Sequence, residues 1–482
     1  MSSVIACRAK RALALAVAVP LLSACGGAFG AMKGGADLLN SQVPVPGSSG
    51  SPNGNIGLGI GPSKIKHIIF LIQENRSFDY IFGNVDNNGN PFPGADTVSN
   101  PLPGEPTPHN HLGQPVTMTT GLLEECYVPA HSSPNAVTDI AKGKMNGFDK
   151  ESVQKLACAP AGKVPADYAY RYAEYSEVQP YWQIGEQYAI SDRMFEASTS
   201  ASFAAHLYYV AGQSSRAIDN PSNSPWGCDA PAGTEEPTYN EKTGGEAGRV
   251  FPCFEMPTLA DEMDLRQVSW RYYGMSIADF GYNWIAYDAI RQIRFGADWS
   301  TNVVNPSSQI LTDIQNGSLA SMTWVTPSLA NSDHPLSASN LGPSWIASVV
   351  NAVGQSQFWN DTAIFVVWDD WGGWYDHAPP GKFGPVGYGI RLPFIAVSPY
   401  VRNGYVSHVV HSPGSMLRFA EEILNLPSLG EIDAKSDDLA DLFNFTQTPT
   451  PFTPFALNRS PADVVRGATD PRPLPKGATP DD

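Results

Sequence analysis

The chain has 482 residues, 42% of them hydrophobic and 11% aromatic, with a formal net charge of -17. That length allows one large domain or two ordinary ones, and the composition excludes a collagen, a coiled coil or a wholly disordered chain. The acidity speaks against a nucleic acid partner held through its phosphates and otherwise serves solubility.

Arg8, Lys10 and Arg11 precede the apolar run Ala12 to Leu22, which has the length of a signal-peptide core and is too short to span a bilayer. The run ends Leu22-Ser23-Ala24-Cys25-Gly26. This resembles a bacterial lipobox, so residues 1–25 are expected to be a lipoprotein signal peptide, with Cys25 lipidated and anchoring the chain to a membrane. Export to the periplasm, the outer membrane or the cell surface follows from that resemblance. Residues 26–62, rich in Gly, Ser, Pro and Asn, read as a flexible linker. Residues 63–445 carry the folded domain, and 446–482 read as a Pro-rich, weakly structured tail.

Within the domain, Ile65 to Ile72 is a short β-branched run and reads as a buried strand. It stops at Gln73-Glu74-Asn75, so those polar groups lie at its C-terminal end. Residues 84 to 165 are loop-like, and 167 to 190 carry aromatics at helical spacing. Residues 213 to 254 form a second Gly/Pro-rich insertion. Val268–Tyr273 and Met322–Pro327 are further strands, and Gly342–Val353 is a helix. Ala363–Trp368 is a strongly apolar strand that ends in Asp369-Asp370. Leu392–Ser398 is another strand and Ser415–Leu424 another helix. Strands alternating with helices predict an α/β fold with a mainly parallel sheet. Four cysteines follow the leader, and proximity favours Cys126–Cys158 and Cys228–Cys253, each closing a loop-rich insertion. Such bonds persist outside the cytosol.

Two strand ends therefore present acids, Glu74-Asn75 and Asp369-Asp370. On the same edge of a sheet they can set three carboxylates and one amide around a single hard cation. After the second pair, Gly372-Gly373 permits a tight turn that could return His377 to the same pocket. Asp333-His334-Pro335 follows another strand. A nucleophile is available in Ser198-Thr199-Ser200-Ala201-Ser202-Phe203-Ala204-Ala205-His206, where a serine opening a helix would have the helix N-terminus beside it. Four hydroxyls compete there, and spacing does not choose among them. No Gly-x-Ser-x-Gly elbow and no phosphate-binding glycine loop is present.

The runs Lys66-His67-Ile68-Ile69-Phe70-Leu71-Ile72-Gln73-Glu74-Asn75-Arg76-Ser77-Phe78-Asp79-Tyr80 and Trp368-Asp369-Asp370-Trp371-Gly372-Gly373-Trp374-Tyr375-Asp376-His377, with Asp333-His334-Pro335 between them, carry a resemblance. They resemble the bacterial phosphoesterases that include non-haemolytic phospholipase C and the respiratory-burst-inhibiting acid phosphatases. The resemblance spans roughly residues 65 to 425. It implies an alkaline-phosphatase-like three-layer α/β/α sandwich with loop-rich insertions. It also implies a divalent metal on Glu74, Asn75, Asp369 and Asp370. Alignment with the family's Gly-Pro-Ser-Phe-Pro-Ala-His selects Ser202 as nucleophile and further metal ligand, although this chain lacks the Gly-Pro and the second Pro. His131, His334 and His377 match pocket histidines. Arg76, Ser77, Phe78 and Asp79 read as support for the turn and the helix that follows. The implied reaction is hydrolysis of a phosphate ester through a phosphoserine, with acid-phosphatase action on small monoesters expected because little chain follows the catalytic region. The alternatives are a phospholipase C, with Trp371, Trp374 and Tyr375 available to a choline headgroup, and a surface-anchored binding lipoprotein without turnover.

Overall fold

The computed structural model describes residues 58–59, 61–165, 167–381 and 387–474. The expected leader, its anchor Cys25 and most of the linker lie outside the described residues.

The central sheet has eight strands. In chain order they are β1 (His67–Gln73), β2 (Ala189–Ser191), β3 (Trp270–Tyr273), β4 (Val303–Val304), β5 (Met322–Val325), β6 (Thr362–Trp368), β7 (Phe394–Val397) and β8 (Tyr405–Ser407). Their spatial order is β4-β3-β5-β1-β6-β7-β2-β8. Every pairing is parallel except the two that β7 makes with β6 and β2. β1 and β6 are buried along almost their whole length, which is why they read as continuous apolar runs.

Helices cover the sheet in two groups. Tyr175–Gln187, Gly342–Gly354 and Pro461–Thr469 pack on one another, and Ser202–Ala211 packs with Pro413–Leu424. The result is the expected α/β/α sandwich. Several helix ends follow local chemistry. Pro413 opens its helix behind a Ser412 capping box, and Asn425 closes it in the left-handed region.

The aromatic stretch from 167 to 190 is not one helix. It divides into a short strand at Arg171–Ala173, the helix Tyr175–Gln187 and the strand β2. β2 sits between β7 and β8, and this ladder outweighs the helical spacing of its neighbours. The segment from 446 also departs from expectation. Residues up to 474 pack onto the domain: Phe455, Val464 and Ala468 are buried. The Asn331 amide donates to the Val464 carbonyl at 2.9 Å, and the Arg472 N–H donates to Asp279 at 2.7 Å. Part of the proline content opens the helix Pro461–Thr469, with Pro461 in its first turn. Both expected disulfides are present, Cys126–Cys158 and Cys228–Cys253.

Candidate active site

β1 and β6 are neighbours with Gln73 opposite Trp368, so their next residues emerge side by side. The Asp369 N–H donates to the Gln73 carbonyl at 2.9 Å, extending the ladder one step. Beyond that step Glu74, Asn75, Asp369 and Asp370 converge. Asn75 adopts φ 59°, and its N–H donates to Asp369 Oδ1 at 2.8 Å. Gly372 at φ +64° makes the close turn possible. A Cβ there would meet the Asn75 carbonyl oxygen at 2.2 Å.

Within the serine-rich stretch, Ser202 lies beside the strand-end acids and Ser200 does not. Ser202 is the first residue of the helix Ser202–Ala211, and its Oγ donates to Asp370 Oδ2 at 2.8 Å. The Asn75 side-chain amide donates to Ser202 Oγ at 3.3 Å and to Asp370 Oδ1 at 3.0 Å. The Ser200 hydroxyl instead donates to Glu196 at 2.8 Å, and its N–H donates to the same oxygen at 3.1 Å. The Phe203 N–H donates to Asn220 at 2.8 Å. Glu196 and Asn220 thus organise the entry to the helix where the family pattern has Gly-Pro. Neither was marked by the sequence, because both act from outside the motif.

His131 and His334 belong to the same region. His131 follows the strand Tyr127–Pro129, which pairs with Val153–Lys155 inside the loop closed by Cys126–Cys158. Its Nδ1 donates to the Pro129 carbonyl at 2.9 Å, so Nε2 accepts from the Asn75 amide at 3.0 Å. His334 follows β5. Its Nδ1 accepts the Leu336 N–H at 3.0 Å, which leaves the proton on Nε2. The ring stacks on Trp284, with centroids 5.9 Å apart, and lies 6.3 Å from His131.

His377 is not held with them. Its Nδ1 donates to Asp79 Oδ2 at 2.5 Å and its Nε2 to Asp96 Oδ1 at 3.0 Å. Arg391 completes the cluster, reaching Asp79 at 3.2 Å and Asp376 at 3.1 Å. Burial alone would lower the His377 pKa, but Asp79 and Asp96 outweigh it and raise the ring to about 9. Both ring nitrogens are committed to carboxylates, so the turn at Gly372-Gly373 delivers this histidine to an ion cluster rather than to a substrate. Asp79, expected as support for the helix start, is the centre of that cluster. Trp374 and Tyr375 are likewise engaged in packing, against Arg76 and Tyr80 and against Tyr170 respectively. Trp371 alone of the three reaches the site, with its ring 6.2 Å from His131.

A histidine without an assigned role completes the picture. His206 lies one helical turn after Ser202, on the same face, and its Nε2 is 3.1 Å from Glu74 Oε1. Helical spacing was the available signal. The group Glu74, His206 and Asp369 brings one ligand atom from each residue within 4.8 Å of the others. Burial and the neighbouring Asp369 push the Asp370 carboxyl well above the usual range. Asn75 Oδ1 and Asp369 Oδ2 are buried without a hydrogen-bond partner among the described residues. Crowded carboxylates with unpartnered oxygens in a buried site are the donor set a divalent cation satisfies, so these residues fit the expected metal.

Known proteins resemble this chain. Phospholipase C B of Mycobacterium tuberculosis is 25% identical over 82% of this chain and 82% of its own length. Non-hemolytic phospholipase C of Burkholderia pseudomallei is 26% identical over 75% of this chain and 55% of its own. A solved structure of an alkaline phosphatase superfamily protein from Vibrio parahaemolyticus aligns with TM-score 0.36 and 9% identity, covering 78% of this chain and 70% of that one. A family model described as the Phosphoesterase family matches residues 65–427, more than half of the chain, so the protein belongs to that family and is a hydrolase acting on phosphate esters.

Proposed function

We propose that the protein cleaves its phosphate ester in two steps, through a phosphoserine on Ser202, with a divalent cation held by Glu74, Asn75, Ser202, Asp369 and Asp370. The observation that carries this is the Ser202 hydroxyl, 2.8 Å from Asp370 and at the N-terminus of its helix. A cation at these ligands would lower the pKa of the hydroxyl and offset charge on the phosphate oxygens. Ser202 Oγ forms the bond to phosphorus as the ester P–O bond breaks; its proton passes to Asp370 and from there to the departing alkoxide, which leaves as the alcohol. The helix N-terminus faces the anion. His334, with its proton on Nε2, donates to a phosphate oxygen. His131 fixes the Asn75 amide. Water then breaks the Ser202–phosphorus bond and releases the product.

For the substrate we favour a phospholipid-type phosphodiester over a small monoester. The monoester expectation rested on the short chain after the catalytic region. A protein named phospholipase C B is matched over 82% of its own length, so that argument lapses. Side-by-side turnover of para-nitrophenyl phosphate and para-nitrophenyl phosphocholine, with metal analysis, tests the reading. Preference for the phosphocholine ester, loss of turnover in Ser202→Ala and loss on chelation are expected. Full turnover by Ser202→Ala would overturn the nucleophile. The lipid anchor at Cys25 is part of the same proposal, and Cys25→Ser should move the protein from the membrane fraction to the soluble one.

A further inference from the structure

The five ligands proposed for the cation, Glu74, Asn75, Ser202, Asp369 and Asp370, all offer oxygens. The structure adds a nitrogen beside them. His206 is 2% exposed and lies on the helix that begins at Ser202, with Nε2 3.1 Å from Glu74 Oε1 and 3.8 Å from Asp369 Oδ2. Asp369 Oδ2 is fully buried and has no hydrogen-bond partner among the described residues. Glu74, His206 and Asp369 therefore come from β1's end, the helix of Ser202 and β6's end, and they bring three ligand atoms within 4.8 Å of one another.

We infer that His206 is a direct nitrogen ligand of the cation, which makes this a mixed nitrogen–oxygen site. The inference rests on the metal-dependent reading above and deepens it. Its chemical consequence is selectivity. A site of carboxylates and amide oxygens alone suits calcium, magnesium or manganese, whereas an imidazole shifts preference towards iron or zinc. Its mechanical consequence is coupling. Ser202 and His206 share one rigid helical turn, so a cation bound to His206 fixes the position of the nucleophile along the helix axis.

The test uses the full chain, stripped with chelator and reloaded with manganese(II) alone. Pulsed electron paramagnetic resonance of bound manganese should show coupling to a directly bound nitrogen-14. His206→Asp replaces the nitrogen with an oxygen. It should keep one manganese per chain, lose the nitrogen coupling, and lose roughly tenfold or more of its preference for zinc over calcium. His206→Asn, with folding checked by thermal melting, should lose the coupling as well. Manganese bound at one equivalent without nitrogen coupling in the parent protein overturns the inference and leaves the metal-dependent reading standing. Coupling that persists in both variants also overturns it. Failure of the parent protein to bind manganese, zinc, calcium or magnesium overturns both.

Discussion

Replacing His377 by Gln separates a catalytic role from a structural one. The imidazole donates to Asp79 at 2.5 Å and to Asp96 at 3.0 Å, and Arg391 lies against the same carboxylates. The folded state holds the ring at about 9, against an ordinary value of 6.5. A shift of that size corresponds to about 3 kcal/mol of folding stability. Breaking a buried ion pair by removing one partner costs roughly 3–5 kcal/mol, so the two estimates agree. The sign fixes the pH window. A raised histidine contributes fully below about 6.5, and its contribution disappears as pH rises through about 9. His377→Gln should therefore melt on the order of 5 °C lower at pH 6, with the gap closing at pH 10. Turnover measured well below the melting temperature should fall far less than in Asp370→Asn. An unchanged melting temperature with a large loss of kcat would refute this reasoning and return His377 to the substrate.

Three further outcomes are expected. Gly372→Ala places a Cβ 2.2 Å from the Asn75 carbonyl at φ +64° and should cost roughly 1–3 kcal/mol while weakening metal binding, read by melting and by metal titration. Cys126→Ser opens the insertion that carries His131 and should cost about 2–4 kcal/mol together with kcat, whereas Cys228→Ser should cost similar stability and spare kcat. Asp370→Asn should lose more activity than the roughly 10–100-fold typical of residues that only support a ligand. Because Asp370 is a buried carboxylate crowded by Asp369, the same variant in chelator should melt no lower than the parent.

Much of the site was legible before the fold was known, for one physical reason. A strand end specifies position for a residue or two beyond it. Glu74-Asn75 and Asp369-Asp370 directly follow β1 and β6, and adjacent parallel strands force them together. Helical periodicity is equally rigid, so Ser202 and His206 were on one face as soon as the helix was. Legibility fails where position depends on pairing across the chain. β2 is three residues long and exists because β7 and β8 flank it. Glu196 and Asn220 act on the nucleophile's turn from segments whose approach no local pattern encodes.

His377 shows how a contiguous motif misleads. Seven positions separate it from Asp370, and Gly372 and Gly373, both at positive φ, lie between them. Once the chain turns there, the strand no longer dictates direction. Side-chain packing does, through Tyr375 against Tyr170 and Phe148 and through Asp376 against Arg391. The ion cluster that receives His377 draws Asp79 and Asp96 from the far side of β1 in sequence and Arg391 from the approach to β7. Those residues tie the turn after β1 to the turn after β6, the two turns that carry the proposed metal ligands. Adjacent residues of this motif are therefore linked by mechanics: the cluster ties the two turns together, and the chemistry proposed for this site falls to the residues that stay on the strand ends.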